Sequence, residues 1–136
     1  MCVYLGVTLK TGCQFNCSIT ERIRKFYRCA NAILRIDGKS NDLTMLALIE
    51  SHCLPILTYA VEIVYISDRD ERRKLRVAYN SIFRRIFSYR YRDSVRELQG
   101  FLQRPTWEAL VEEKRSSFLS RARQCPPESL IKSLLL

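Results

Sequence analysis

The stretch Cys53-Leu-Pro-Ile-Leu-Thr-Tyr-Ala-Val-Glu-Ile-Val-Tyr-Ile66 decides how the rest of the chain is interpreted. Only Pro55, Thr58 and Glu62 clearly interrupt its hydrophobic residues, so we expect it to form a buried core helix. A helix that is apolar on nearly every side needs neighbours on nearly every side. Strongly basic amphipathic segments lie before and after it. The run therefore predicts the hub of a small helical domain whose charged outer surface faces a polyanion.

Length and charge set the first limits. The chain has 136 residues, which suits one domain of ordinary size that can bury a core without disulfides or metal. It carries 23 Lys and Arg against 14 Asp and Glu, a formal net charge of +9. An excess of this size favours association with nucleic acid or with an anionic membrane, although it says nothing about the fold.

No segment of the sequence favours a transmembrane or secretory protein. Residues 1–9 lack a basic leader and are too short for a secretory hydrophobic region. Residues 43–66 are long enough to cross a bilayer, but they contain four residues that would be costly in hydrocarbon. These are Glu50, His52, Pro55 and Glu62. We therefore expect a soluble, intracellular protein, with cytoplasm and nucleus both open.

The six cysteines do not predict a metal site. No two of them form a CxxC pair, and a ligand set of Cys13, Cys17, His52 and Cys53 matches no common zinc spacing. We expect free thiols that behave as small hydrophobic residues in a reducing compartment.

The N-terminal residues predict one strand over positions 2–9, because Val, Tyr, Leu and Thr favour extended structure. A turn follows at Lys10-Thr-Gly12. A single strand leaves its backbone donors and acceptors without partners, and the only nearby candidate is the segment 13–17. The expectation is that this strand belongs with a segment upstream of the chain.

Helix signals then follow one another to the C-terminus. Capping boxes begin helices at Ser18-Ile-Thr-Glu21, Asp68-Arg-Asp-Glu71 and Ser94-Val-Arg-Glu97, and single caps stand at 40–42 and Thr106. Asp37-Gly38 is expected to end the first helix, and Pro126-Pro127 the last. The second helix is predicted to run from about Leu43 towards Ile66 with a break near Cys53 and Leu54, because Pro55 lacks the N–H that the helical ladder needs.

Two of these helices are strongly amphipathic and basic. The third helix places apolar residues at three- and four-residue steps from Leu75 to Ile86, with arginines near the opposite face. Residues 69–96 carry ten Lys or Arg and three acids, and Tyr89 and Tyr91 stand among arginines. Basic side chains contact phosphates and tyrosine stacks on exposed bases. Amphipathic position selects six predicted contact residues: Lys25, Arg28, Arg72, Arg73, Arg76 and Arg84.

No catalytic constellation is evident. There is one histidine, no Ser/His/Asp arrangement and no glycine-rich phosphate loop among four glycines. The acidic residues stand singly at helix starts or as the pair Glu112-Glu113, where we interpret them as exposed caps and dipole partners.

Two blocks of sequence carry a family resemblance. The first is Tyr4-Leu-Gly-Val7. The second is Cys53-Leu-Pro-Ile-Leu-Thr-Tyr-Ala-Val-Glu62, in which Pro55, Tyr59 and Glu62 form a Pro-x-x-x-Tyr-x-x-Glu arrangement. Together they resemble the C-terminal, palm-border and thumb part of the reverse transcriptase of non-LTR (LINE-type) retrotransposons. The resemblance implies that Tyr4, Leu5 and Gly6 border the hairpin that positions the primer terminus. It also implies a helical thumb that holds the template–primer duplex, an RNA–DNA hybrid, without sequence specificity.

The chain departs from that family in one respect, since it contains no Asp-Asp pair. The resemblance therefore implies a fragment of an RNA-directed DNA polymerase that is inactive alone. Its catalytic palm and fingers would be missing partners, and any Mg²⁺ would belong to that palm.

The expected fold is mainly α, a helical thumb-like bundle with a short N-terminal β segment. The expected regions are a remnant β segment of the palm/thumb border at 1–17, the thumb-like domain at 18–125 and a truncated tail at 126–136. Two alternatives stay open: a basic helical module that binds an acidic protein, and a retroelement remnant without function.

Overall fold

The computed structural model describes residues 2–5, 7–12, 16–36, 41–62 and 69–128. This part of the chain is mainly helical with a short antiparallel sheet at the N-terminus, which confirms the predicted fold class. The elements in chain order are β1 (Cys2–Tyr4), β2 (Val7–Lys10), β3 (Asn16–Ser18), α1 (Thr20–Ile36), α2 (Asp42–His52), α3 (Leu54–Thr58), α4 (Arg69–Ile86), α5 (Val95–Phe101) and α6 (Trp107–Arg123).

The N-terminal strand prediction is wrong in one respect, because residues 2–9 form two strands rather than one. Tyr4 of β1 pairs with Val7 of β2, so only two residues separate the strands, and Leu5 between them has a φ of 46°. β2 also pairs with β3, so that it lies at the centre of a three-stranded sheet. The opening strand therefore finds its backbone partners within the chain.

Several helix ends agree with the caps in the sequence. The Asn41 side chain accepts a hydrogen bond from the Leu43 N–H, and the Thr106 hydroxyl accepts one from the Ala109 N–H. Ser94 precedes α5 without a side-chain cap hydrogen bond. Ser18 ends β3, and α1 begins at Thr20.

The central run departs from the helix predicted over 43–66. The chain breaks at Cys53, as Pro55 requires, but α3 ends at Thr58. Ala60 has a positive φ of 53°, a conformation that a right-handed helix does not contain. Residues 63–66 of the predicted helix lie outside the described residues.

The core is built where four helices meet rather than around the central run alone. A small cavity of about 10 Å³ is lined by residues of all four: Phe26 from α1, Leu46, Ile49 and Glu50 from α2, Leu54 from α3, and Tyr79, Ile82 and Phe83 from α4. The central run contributes Cys53, Leu57 and Val61 to this core, whereas Tyr59 is half exposed. The expectation of burial on nearly every side of the run is therefore wrong.

The predicted apolar stripe of α4 is buried throughout. Two residues of the predicted apolar stripes of α5 and α6, Phe101 and Leu119, are exposed instead. Phe101 is 86% exposed, because Val95, Leu98 and Gln99 occupy the inward positions of α5 and residue 101 falls outside that arc. Leu119 on α6 is also exposed, and Ala122 is buried nearby. Only the N-terminal half of α6, from Trp107 to Val111, supplies apolar side chains to the main core.

Within the described ranges, no helix combines the length and apolar character that crossing a bilayer requires.

Candidate nucleic-acid interface

Helices α1 and α4 lie side by side and run in the same direction. At one end, β3 leads into α1 after a single residue, and Lys10, which pairs with Asn16 in the sheet, forms an ion pair with Glu71 in the first turn of α4. Near the other end, Arg85 Nη1 of α4 donates to Asn31 Oδ1 of α1 at 2.5 Å. The ion pair brings the start of α4 to the sheet from which α1 begins, and the Arg85–Asn31 hydrogen bond joins the two helices near their C-terminal ends.

These two helices carry the entire net charge of the chain. Together they contain twelve basic and three acidic residues, an excess equal to the chain's +9, while the remaining sequence contains eleven of each. One of the three acids, Glu71, is only 6% exposed, and a second, Glu21, is paired with Arg24 at 2.7 Å. The charge therefore does not spread over the molecule but lies on one pair of adjacent helices.

Local sequence explains why the basic side chains lie outside. In α4 the buried stripe repeats at three and four residues, so the opposite side of the helix carries Arg73, Val77 and Arg84. Arg73 and Val77 are exposed, and Arg84 is half-buried. In α1 the predicted contact residues Lys25 and Arg28 are both exposed. Five further exposed basic residues on these helices were not predicted as contacts: Arg24, Arg35, Arg69, Lys74 and Arg85.

The predicted residues Arg72, Arg73 and Arg76 also line a groove of about 1040 Å³ between α4 and α6. The groove has an apolar floor that includes Leu75 and Trp107. Its described charged lining is nearly balanced, with five arginines and four carboxylates: Arg69, Arg72, Arg73, Arg76 and Arg115 against Glu62, Asp70, Glu108 and Glu112. Arg76 lies 3.4 Å from Glu108. Arg73 lies opposite the buried stripe of α4, whereas Arg72 and Arg76 lie closer to that stripe. Arg72 and Arg76 are therefore weaker candidates for phosphate contact than Lys25 and Arg28.

Arg84 lies at the C-terminal end of the basic side of α4, next to an aromatic ring. Its guanidinium stands 5.7 Å from the ring centroid of Tyr91, a cation–π geometry. Its Nε is buried and has no hydrogen-bond partner among the described residues.

The predicted primer-positioning segment lies at the tip of the β1–β2 hairpin. Tyr4 and Leu5 are both largely exposed, and Gly6 lies outside the described residues. The carbonyl oxygen of Leu5 accepts a 2.7 Å hydrogen bond from the Tyr59 hydroxyl. The ring of Tyr59 in turn has the Arg22 guanidinium 5.9 Å from its centroid. Tyr59 thus links the hairpin tip to the helical core.

The sequence placed Glu71 in a helix cap, and its role as a buried ion-pair partner was not predicted. Glu71 stands four residues before Leu75 and so continues the buried stripe, where its Oε1 meets Lys10 Nζ at 2.5 Å. Its Oε2 is buried without a hydrogen-bond partner in the described part of the chain. Extending the apolar stripe of α4 by one turn towards the N-terminus includes Glu71, which is the sequence signal for its burial.

Among the described residues, three ionisable groups in the helical core have shifted pKa values, and none of the three lies on the basic surface. Burial raises the pKa of Cys53 from 9.0 to about 12, helped by its contact with Cys29, whose Sγ lies 3.0 Å away. Burial and the nearby Glu50 carboxylate raise the pKa of Tyr79 to about 12. Burial also raises the pKa of Glu50, partly offset by Arg104 at 2.9 Å. These shifts have structural causes and do not indicate a catalytic site.

Comparisons of the chain with protein-family models, curated proteins and solved structures find no match.

Proposed function

We propose that the exposed sides of α1 and α4 bind the sugar–phosphate backbone of a nucleic-acid duplex or an RNA–DNA hybrid. The observation that supports this is the confinement of the whole net charge to these two parallel helices. Clustered Lys and Arg neutralise several phosphates at once and release counterions, which provides affinity without reading sequence. Lys25, Arg28, Arg73 and Arg84 are the principal contacts, and Arg72 and Arg76 are secondary ones.

In this proposal the chain is the thumb-like part of a LINE-type reverse transcriptase, as the resemblance of its sequence implies. The hairpin tip with Tyr4 and Leu5 would border the primer terminus, and the catalytic aspartates would belong to a palm outside this chain. The encoding DNA tests this half of the proposal. An in-frame palm with its Asp-Asp motif upstream of the Met1 codon supports it, and an upstream region without such a frame contradicts it.

Binding to a 20-base-pair RNA–DNA hybrid over a salt series tests the interface itself. We expect an affinity that falls steeply with salt, because each phosphate contact contributes a slope of about −0.9 in log K against log salt for B-form DNA, with a similar order for a hybrid. The double variant Arg28→Gln/Arg73→Gln should weaken binding and reduce the slope by about two, one for each lost contact.

A matched control removes two positive charges from outside α1 and α4, where basic and acidic residues are equal in number. Arg121→Gln/Arg123→Gln alters two exposed arginines of α6 and should leave the slope nearly unchanged. Equal losses in both double variants would show that net charge alone drives binding and would contradict a localised interface. Absence of hybrid binding even at low salt would favour the alternative of a basic module for an acidic protein partner.

A further inference from the structure

The segment between α4 and α5 contains a solvent-exposed aromatic ring, that of Tyr91, which contacts a neighbouring side chain. Tyr91 is 85% exposed, yet its ring lies against the Arg84 guanidinium rather than free. An exposed aromatic ring on a surface that binds nucleic acid is a ready stacking partner, because every base has a π-face.

Backbone hydrogen bonds order this segment. The Tyr89 N–H donates to the Arg84 carbonyl oxygen at 2.9 Å, and Ser88 has a φ of 54°, which together terminate α4 in a Schellman-type turn. Arg90 and Asp93 close a second turn: the Arg90 N–H donates to the Asp93 carboxylate at 2.9 Å, and the Asp93 N–H donates to the Arg90 carbonyl at 3.0 Å. Tyr91 lies inside this turn, so binding a base would not require ordering a free loop.

The surroundings of the ring favour a nucleotide over an apolar partner. Arg90 and Arg92 flank Tyr91 and are both exposed. Asp93, the acidic residue within the same turn, is engaged by the Arg90 backbone. The segment also follows directly from the C-terminal end of the basic side of α4, where Arg84 lies. A nucleic-acid backbone bound along the basic side of α4 would therefore reach Tyr91 at the C-terminal end of that helix.

We propose that Tyr91, positioned by Arg84, is a stacking site for one unpaired base at the end of the bound duplex. This inference rests on the proposed function and extends it, because it names a preferred substrate class: a duplex with a single-stranded overhang rather than a blunt one. Arg90 and Arg92 would contact the phosphates of the overhang.

Two hybrids of identical duplex sequence test the proposal, one blunt and one with a three-nucleotide overhang that carries 2-aminopurine at its first unpaired position. Overhangs of both polarities are measured. The protein should bind one overhang polarity about tenfold more tightly than the blunt hybrid, which is within the range for one stacked base. Stacking should also quench the 2-aminopurine fluorescence.

Three variants define the site. Tyr91→Leu should abolish both the preference and the quenching, and Tyr91→Phe should retain both because the ring is kept. Phe101→Leu is the matched control, since Phe101 is an equally exposed ring on α5, and it should retain the preference.

The outcomes separate the two proposals. Salt-dependent binding of the blunt hybrid without any overhang preference, or a preference that survives Tyr91→Leu, overturns the stacking site and leaves the proposed function standing. Failure to bind either hybrid overturns both.

Discussion

The Tyr59 hydroxyl donates a 2.7 Å hydrogen bond to the carbonyl oxygen of Leu5, a contact between residues 54 positions apart in sequence. It joins the hairpin tip to the segment that follows α3. The proposed resemblance to LINE-type reverse transcriptases rests on the same two segments, and this hydrogen bond makes them neighbours in space. Tyr59 thereby holds the hairpin tip against the helices, and the Lys10–Glu71 ion pair ties β2 to α4.

Replacing Tyr59 with Phe should loosen the hairpin without disturbing the core. We expect a loss of about 0.5–1.5 kcal/mol in the free energy of unfolding, the usual net contribution of one hydrogen bond. Hydrogen exchange at the amides of β1 and β2 should accelerate more than exchange in α4. Tyr4→Phe is the control, because that side chain is largely exposed. Equal effects in both variants would contradict an anchoring role for Tyr59.

The ion pair between Lys10 and Glu71 should behave as a coupled unit. Lys10→Met leaves the nearly buried Glu71 carboxylate without its cation and should cost about 1–3 kcal/mol, whereas Lys10→Met/Glu71→Leu should recover most of that loss. Urea unfolding of the two single variants and the double variant measures the coupling. The exposed Arg24–Glu21 pair is the comparison, and its removal should change stability by less than about 1 kcal/mol. Additive effects at Lys10 and Glu71 would argue against the pair.

The raised pKa of Cys53 predicts a loss of stability in alkali. The folded state keeps this thiol protonated up to a pKa of about 12, while the unfolded chain releases the proton from about pH 9.0. The folded state therefore binds more protons above pH 9, and stability falls as pH rises from 9 towards 12.

Chemical denaturation between pH 8 and pH 10 measures that slope in the wild type and in Cys53→Ala. The variant should lose the Cys53 contribution, even though its stability at pH 8 is lower because a buried side chain has been shortened. Cys2→Ala, which removes an exposed thiol, is the control and should keep the wild-type slope. The same slope in Cys53→Ala would assign the pH dependence to another group.

Two phenylalanines of equal chemistry should differ sharply in their effect on stability. Phe83 is 1% exposed in the core, so Phe83→Ala should cost about 3–5 kcal/mol. Phe101 is 86% exposed, so Phe101→Ala should change stability by less than about 0.5 kcal/mol. Thermal unfolding of the two variants checks both values, and a large cost at Phe101 would contradict its outward position.

The sequence predicted the helices because their signals are local. The apolar stripe from Leu75 to Ile86, the caps at Asn41 and Thr106, and the break before Pro55 all depend on residues within one or two turns. The exposure of Lys25, Arg28 and Arg73 followed from the same periodicity. The two-residue hairpin was missed because strand propensity does not show where a strand turns back, and the Leu5 conformation that permits the turn is uncommon for its residue type.

The sequence by itself determined which faces of α1 and α4 are basic and which are apolar, because helical geometry alone places side chains three and four residues apart on one side. Only the tertiary structure decided that these two helices run side by side, that Arg72 and Arg76 share a groove with carboxylates of α6, and that Glu71 meets Lys10. The physical reason is that periodicity fixes the direction of a side chain about its own helix axis. Which residue it meets there depends on how distant elements pack together.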